Sequence, residues 1–229
     1  MDASIIQKIS VWVIPVLFAI SLHEAAHAWM ANRKGDATAK LLGRLTFNPF
    51  KHIDPVGTVV VPAVMIALTG FAFGWAKPVP VDARNFKDPK KDMMWVAMAG
   101  PASNLIMAVF WAITLRLGAM SYDGSSSISL FVIYASVAGI IINTVLCVLN
   151  LLPVPPLDGS RILSGFLSAK ASQVYNKIEP YGFFIIVALL ASGLLGLLLS
   201  PFINTILFSM ASISGIDVGT FIKLLSAVQ

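Results

Sequence analysis

"SLHEAAHAWM", residues 21–30, closes an otherwise apolar stretch that begins near Ile9. The chain has three histidines in all, and two of them stand in this segment together with a glutamate. An ionisable side chain at the middle of a membrane helix costs about 2.5–3.5 kcal/mol on insertion scales, so three together demand a reason. His23, Glu24 and His27 spell His-Glu-x-x-His. On a helix, positions i and i+4 share one face, and both imidazoles can reach one metal ion. Imidazole ligands with one tetrahedral position left for water suit zinc. Glu24 adjoins the site and can take a proton from a metal-bound water. The alternative is that these are polar groups packed and hydrogen-bonded in a bundle, which leaves the insertion cost uncompensated.

The rest of the composition sets the surroundings. Of 229 residues, 57% are hydrophobic and 12% charged. Soluble domains carry about a quarter charged residues, so this chain is solvated by lipid. One cysteine, Cys147, excludes a disulfide framework and reads as a small buried hydrophobe. The net charge of +5 does not point to nucleic acid, because the charges lie in loops between apolar segments. The first segment is too long for a cleaved signal peptide and lacks its small-residue cleavage site.

Apolar segments of spanning length fall at 9–31, 57–74, 93–118, 129–152, 181–199 and 202–224, the last weakened by Gly215, Asp217 and Gly219. Loops 32–56, 75–92 and 153–180 hold almost all the lysines and arginines, which places all three on the cytoplasmic side. That is inconsistent with a full crossing by 57–74, which also contains Gly57, Pro62, Gly70 and Gly74. A re-entrant or partly inserted hairpin there resolves both points. Alternation around Gly43 in loop 32–56 predicts one or two short strands. The expected fold is an all-α polytopic membrane protein with five to six transmembrane helices and a short β-strand or re-entrant region after the first helix. It is expected to form one integral membrane domain over 1–229, with its core at about 9–165 and C-terminal helices at about 181–224. The five tryptophans, Trp12, Trp29, Trp75, Trp95 and Trp111, lie mostly near segment ends, as interfacial anchors do.

Two histidines do not complete a catalytic zinc site, and a carboxylate is the usual third protein ligand. Among eleven acidic residues most sit in polar loops, as Asp36, Asp82, Asp88, Asp92, Asp123 and Glu179 do. Asp158 differs. It closes "NLLPVPPLDGS", where a long apolar helix runs into three prolines and leaves backbone groups without ladder partners. The ends of helices 9–31 and 129–152 meet only if 57–74 adds no crossing, as the charge pattern independently requires. His52, in the turn "KHIDP", reads as a surface or hydrogen-bonded residue rather than a ligand.

HEAAH, "GPASN" at 100–104 and "NLLPVPPLDG" at 150–159 resemble the site-2 protease family of intramembrane zinc metalloproteases. The pieces "FNPFKHIDPVGT" and "GWAKPVPVDARNF" look like its short branch, without a PDZ insertion or a nucleotide-sensing domain. The resemblance implies cleavage of transmembrane protein substrates within the bilayer, usually after another protease has trimmed them. It implies one zinc per chain on His23, His27 and Asp158, with Glu24 as general base. It further implies that Asn150 holds the substrate backbone or oxyanion and that Asn104 orients helices near the site. The expected location is the cell membrane, multi-pass, with the active site toward the cytoplasm. The oligomeric state is left open. The competing class is a non-catalytic metal carrier or transporter. Such a site needs the histidines but no adjacent base, and the chain shows no repeat symmetry of the transporter kind.

Overall fold

A computed structural model describes residues 5–61 and 77–228, apart from the side chains of 5–8 and 58–59. Most of the expected hairpin at 57–74, and Trp75, lie outside the described residues. The regular secondary structure among the described residues is helical. In chain order the α-helices are α1 (Ile5–Lys34), α2 (Thr38–Leu41), α3 (Pro89–Met120), α4 (Ser127–Asn150), α5 (Asp158–Phe166), α6 (Ala169–Asn176), α7 (Gly182–Ala191), α8 (Leu194–Ser214) and α9 (Val218–Val228). Five spans among the described residues are long and apolar enough to cross a membrane: Ile9–Lys34, Pro89–Met120, Ser127–Asn150, Ala169–Ala191 and Leu194–Ser214.

Helix α3 is the central element and packs against α1, α4, α5 and α8. Its start is written in the sequence. The Asp88 carboxylate accepts from Lys91 N, Pro89 occupies the first turn, and Asp92 adds negative charge there. Ala19, Ala25, Ala28 and Ala31 line the buried face of α1, and such small residues let helix backbones approach closely in a membrane. Leu115 and Ile140, both fully buried, join Trp111, Val137 and Phe221 in the main apolar core.

Four expectations change. No strand occurs among the described residues of 32–56. The alternation at 41–47 conceals a helical turn ending at Gly43, whose φ of +65° closes α2, with Arg44 N donating to Ala39 O at 2.8 Å. The segment 181–199 is broken at Ser192-Gly193, where φ of +74° ends α7 and starts α8. The segment 202–224 divides likewise at Gly215, with Asp217 accepting from Thr220 N at the start of α9. Trp111 is a core residue rather than an interfacial anchor, its ring filling the space left by Gly139.

The connection after α1 is held by buried polar groups. Asp36 is fully buried and accepts from Thr38 N, Thr38 Oγ1, Asn85 Nδ2 and, at 2.7 Å, Asp82 N. Burial alone pushes its pKa up, but these donors hold it below the usual carboxylate range. Arg44, also buried, donates to the carbonyls of Lys77 and Pro78 at 2.6 and 3.4 Å. His52 is 1% exposed and its Nε2 lies 3.0 Å from Thr46 O, so it is a hydrogen-bonded residue of this connection. Together these contacts lay the segment 77–82 alongside α1.

Candidate metal centre

Three side chains from distant parts of the sequence converge where α1, α3 and α5 meet. His23 and His27, 8% and 9% exposed, are one turn apart on the inner face of α1. Asp158 opens α5, where the positive end of the helix favours a carboxylate. Its Oδ2 lies 3.3 Å from His23 Nε2 and 3.4 Å from His27 Nε2, and the two nitrogens are 3.0 Å apart.

The hydrogen-bond partners decide which atoms carry protons. His27 Nδ1 lies 2.8 Å from the carbonyl oxygen of Val96, which can only accept. That nitrogen is therefore the N–H, and Nε2 keeps its lone pair. His23 Nδ1 lies 2.6 Å from Asn104 Oδ1, and the same assignment follows because the Asn104 amide donates to the carbonyl of Ala19 at 3.2 Å. With both rings neutral, two nitrogen lone pairs and a carboxylate oxygen face one point. Asp158 Oδ2 is buried with no hydrogen-bond partner. A cation at that point, a metal ion or a proton on one ring, offsets the repulsion among them. Ligand bonds of about 2.0–2.1 Å in a tetrahedron space donor atoms about 3.3 Å apart, which the three separations match closely. The donor set therefore fits zinc.

Helix α3 receives both imidazoles on one stripe. Val96, Gly100 and Asn104 recur every four residues, so they line one face. Val96 offers its carbonyl to His27 and Asn104 its amide to His23. Gly100, between them, is what allows the rings in: a Cβ there would stand 2.4 Å from His27 Nε2 and 2.6 Å from His23 Cε1. The signature GPASN thus has a contact meaning at this site beyond a kink at Pro101. At the other end, Gly159 and Gly182 let the proline turn fold tightly, since a Cβ on either would collide with the carbonyl of Leu151 or of Pro155.

Glu24 is half-buried, and its Oε2 accepts from Val79 N at 2.9 Å. The segment 77–82 therefore lies across the carboxylate, with Pro78 and Pro80 leaving Val79 as the sole N–H of that tripeptide. Asn150 is half-buried and turns its side-chain N–H back onto Leu146 O at 3.0 Å, within its own helix. That hydrogen bond ties it to its own helix and not to any of the three donors. Sequence reasoning missed Val96 and Val79, which act through backbone atoms that no residue-type pattern marks.

The chain resembles known proteins over most of its length. Residues 117–193 match the model of peptidase family M50. A Bacillus subtilis protein named "Putative zinc metalloprotease YwhC" is 38% identical over 195 residues, covering 84% of this chain and 85% of that protein. A Mycolicibacterium smegmatis protein of the same description, Rip2, is 34% identical over 76% of this chain and 64% of its own length. The Rip2 protein of Mycobacterium tuberculosis is 30% identical over 79% of this chain and 66% of its own length. No solved structure matches the chain significantly. With five apolar spans among the described residues and a zinc-fitting donor set, the chain is a multi-pass membrane zinc metalloprotease. It belongs to peptidase family M50, the site-2 protease family.

Proposed function

We propose that this protein hydrolyses peptide bonds within or near transmembrane segments of substrate proteins. In this reading His23, His27 and Asp158 hold the zinc and Glu24 is the general base. The observation that carries it is the convergence of three metal-ligating atoms within 3.4 Å of one another, one turn of α1 meeting the first residue of α5. Bound zinc supplies Lewis acidity and lowers the pKa of a coordinated water toward ~7.

The protein groups do the remainder. Val96 O and Asn104 Oδ1 aim the two imidazoles. Val79 N–H holds one oxygen of Glu24, which leaves the other to take a proton and pass it to the leaving amine. A peptide bond in a substrate helix is internally hydrogen-bonded, so the substrate must unwind before attack. Asn150, at the end of α4 and eight residues before Asp158, is proposed to hold the opened backbone or the oxyanion. For that, its N–H must exchange Leu146 O for substrate.

Substrates are proposed to be transmembrane proteins trimmed beforehand by another protease. The site is proposed to open toward the cytoplasm, supported by the lysines and arginines of 32–56, 77–91 and 153–180. The whole chain is proposed to act as one domain, with 9–165 carrying the chemistry. The expected hairpin at 57–74 is retained as a proposal.

The test compares purified wild type with Glu24→Gln for bound zinc and for cleavage of a detergent-solubilised transmembrane peptide. Both hold about one zinc and only wild type cuts, if the reading is right. Zinc in both with equal cleavage would remove Glu24 from the mechanism.

A further inference from the structure

A line of side-chain amides crosses the bundle behind His23. Asn143 of α4 donates through Nδ2 to Gly139 O at 2.8 Å and accepts through Oδ1 from Asn104 Nδ2 at 3.0 Å. Asn104 donates also to Ala19 O and presents Oδ1 to His23 Nδ1 at 2.6 Å. Both asparagines are fully buried, so no solvent can substitute for a lost partner. We propose that Asn143 is a positioning residue for the metal site: by orienting the Asn104 amide it sets the tautomer and the aim of His23. This rests on the ligand assignment proposed above.

The polarity of the line is fixed from its far end. The carbonyl of Gly139 can only accept, so Asn143 must turn its NH2 toward it and its oxygen toward Asn104. Asn104 then meets two acceptors, Asn143 Oδ1 and Ala19 O, with its own NH2. Its oxygen is left to face His23, which answers with Nδ1–H. The Nε2 lone pair then points at His27 and Asp158. An Asn104 amide turned the other way would set oxygen against oxygen at two places. It would also offer His23 a donor, moving the imidazole proton to Nε2, where a metal must bind. Asn143 adds the second of the two acceptors that forbid this. Partners that orient a metal-bound histidine are worth about 10–100-fold in affinity, and Asn143 acts one bond further out.

The test measures the zinc dissociation constant of the purified full-length protein by chelator competition, together with the absorption spectrum of the Co2+-loaded protein. Asn143→Leu is expected to weaken zinc about tenfold and to alter the Co2+ bands. Asn143→Asp keeps an acceptor opposite Asn104 Nδ2 in either protonation state and is expected to stay near wild type. Adding Asn143→Leu to Asn104→Ala is expected to cost nothing more, because Asn143 acts only through Asn104. Should Asn143→Leu not survive purification, Asn143→Ala gives the same comparison. Unchanged zinc binding in the apolar variant, equal losses in the apolar and acidic variants, or additivity with Asn104→Ala would each overturn the proposal. His23→Ala separates the two claims. If it binds zinc as wild type does, the ligand assignment fails. If it loses zinc while Asn143→Leu does not, only the role of Asn143 fails.

Discussion

Gly100 of α3 and His27 of α1 approach so closely that a methyl group on the glycine would stand 2.4 Å from Nε2 of the imidazole. Gly100→Ala is therefore expected to displace both histidines and weaken zinc binding by tenfold or more, on the order of the loss of an orienting partner. Gly118→Ala, on the same helix but away from the histidines, is the matched control. Its methyl would stand 3.1 Å from Val132 Cγ1, so it should lower thermal stability while zinc affinity changes far less. Titration of zinc into both variants checks the contrast.

Val79 offers the Glu24 carboxylate a backbone N–H at 2.9 Å. Val79→Pro removes that donor, and Val79→Ala keeps it. A hydrogen bond to a charged group contributes about 1.5–3 kcal/mol, so the proline variant should lose at least about tenfold in kcat with zinc content unchanged. The alanine variant should retain kcat. Equal kcat in the two variants would show that Val79 N–H does not orient the base.

Asp36 ties the start of the connection to its end by accepting from both Thr38 and the 82–85 turn. Its folded pKa lies below the usual value, so its contribution is complete above the unfolded pKa near ~3.9. That contribution is lost as pH falls through the folded value. The protection of amides 77–86 against hydrogen exchange, relative to an unfolded chain at the same pH, should stay high from neutral pH down to about 4 and fall below it. Asp36→Asn should lower that protection at neutral pH, with a loss on the order of 2 kcal/mol.

The turn that delivers Asp158 leans on a glycine far along the chain. A Cβ on Gly182 would overlap the carbonyl oxygen of Pro155, at 1.6 Å. Gly182→Ala is expected to destabilise the protein by about 3 kcal/mol or more and to lower zinc affinity by shifting residues 153–158. Thermal unfolding with and without added zinc reads both effects.

The sequence was most legible where chemistry and insertion cost coincide. His23, Glu24 and His27 stand out because polar groups in a lipid-solvated helix need compensation. Asp158 stood out because three prolines end the helix before it. Charge parity required the ends of helices 9–31 and 129–152 to lie on one side of the membrane, which is a condition for these residues to meet. The connection at 32–56 was misread because alternation alone cannot distinguish a short strand from a helical turn closed by a glycine at φ +65°. Asp36 reads as a polar loop residue and is fully buried, accepting from Thr38, Asp82 and Asn85; His52 is hydrogen-bonded, one of the two roles its turn suggested, and is buried as well. Breaks at Gly193 and Gly215 shifted the C-terminal helices, because a left-handed glycine leaves no trace in hydrophobic periodicity.

Hydrolysis as proposed depends on one zinc held by two imidazoles and one carboxylate. X-ray absorption at the zinc edge of the purified wild-type protein reads that ligand set. Expected are only nitrogen and oxygen neighbours at about 2.0–2.1 Å, with the outer-shell scattering of two imidazoles, reduced to one in His23→Ala. A sulfur neighbour at about 2.3 Å, which only Cys147 or a methionine could supply, or a third imidazole from His52, would contradict it.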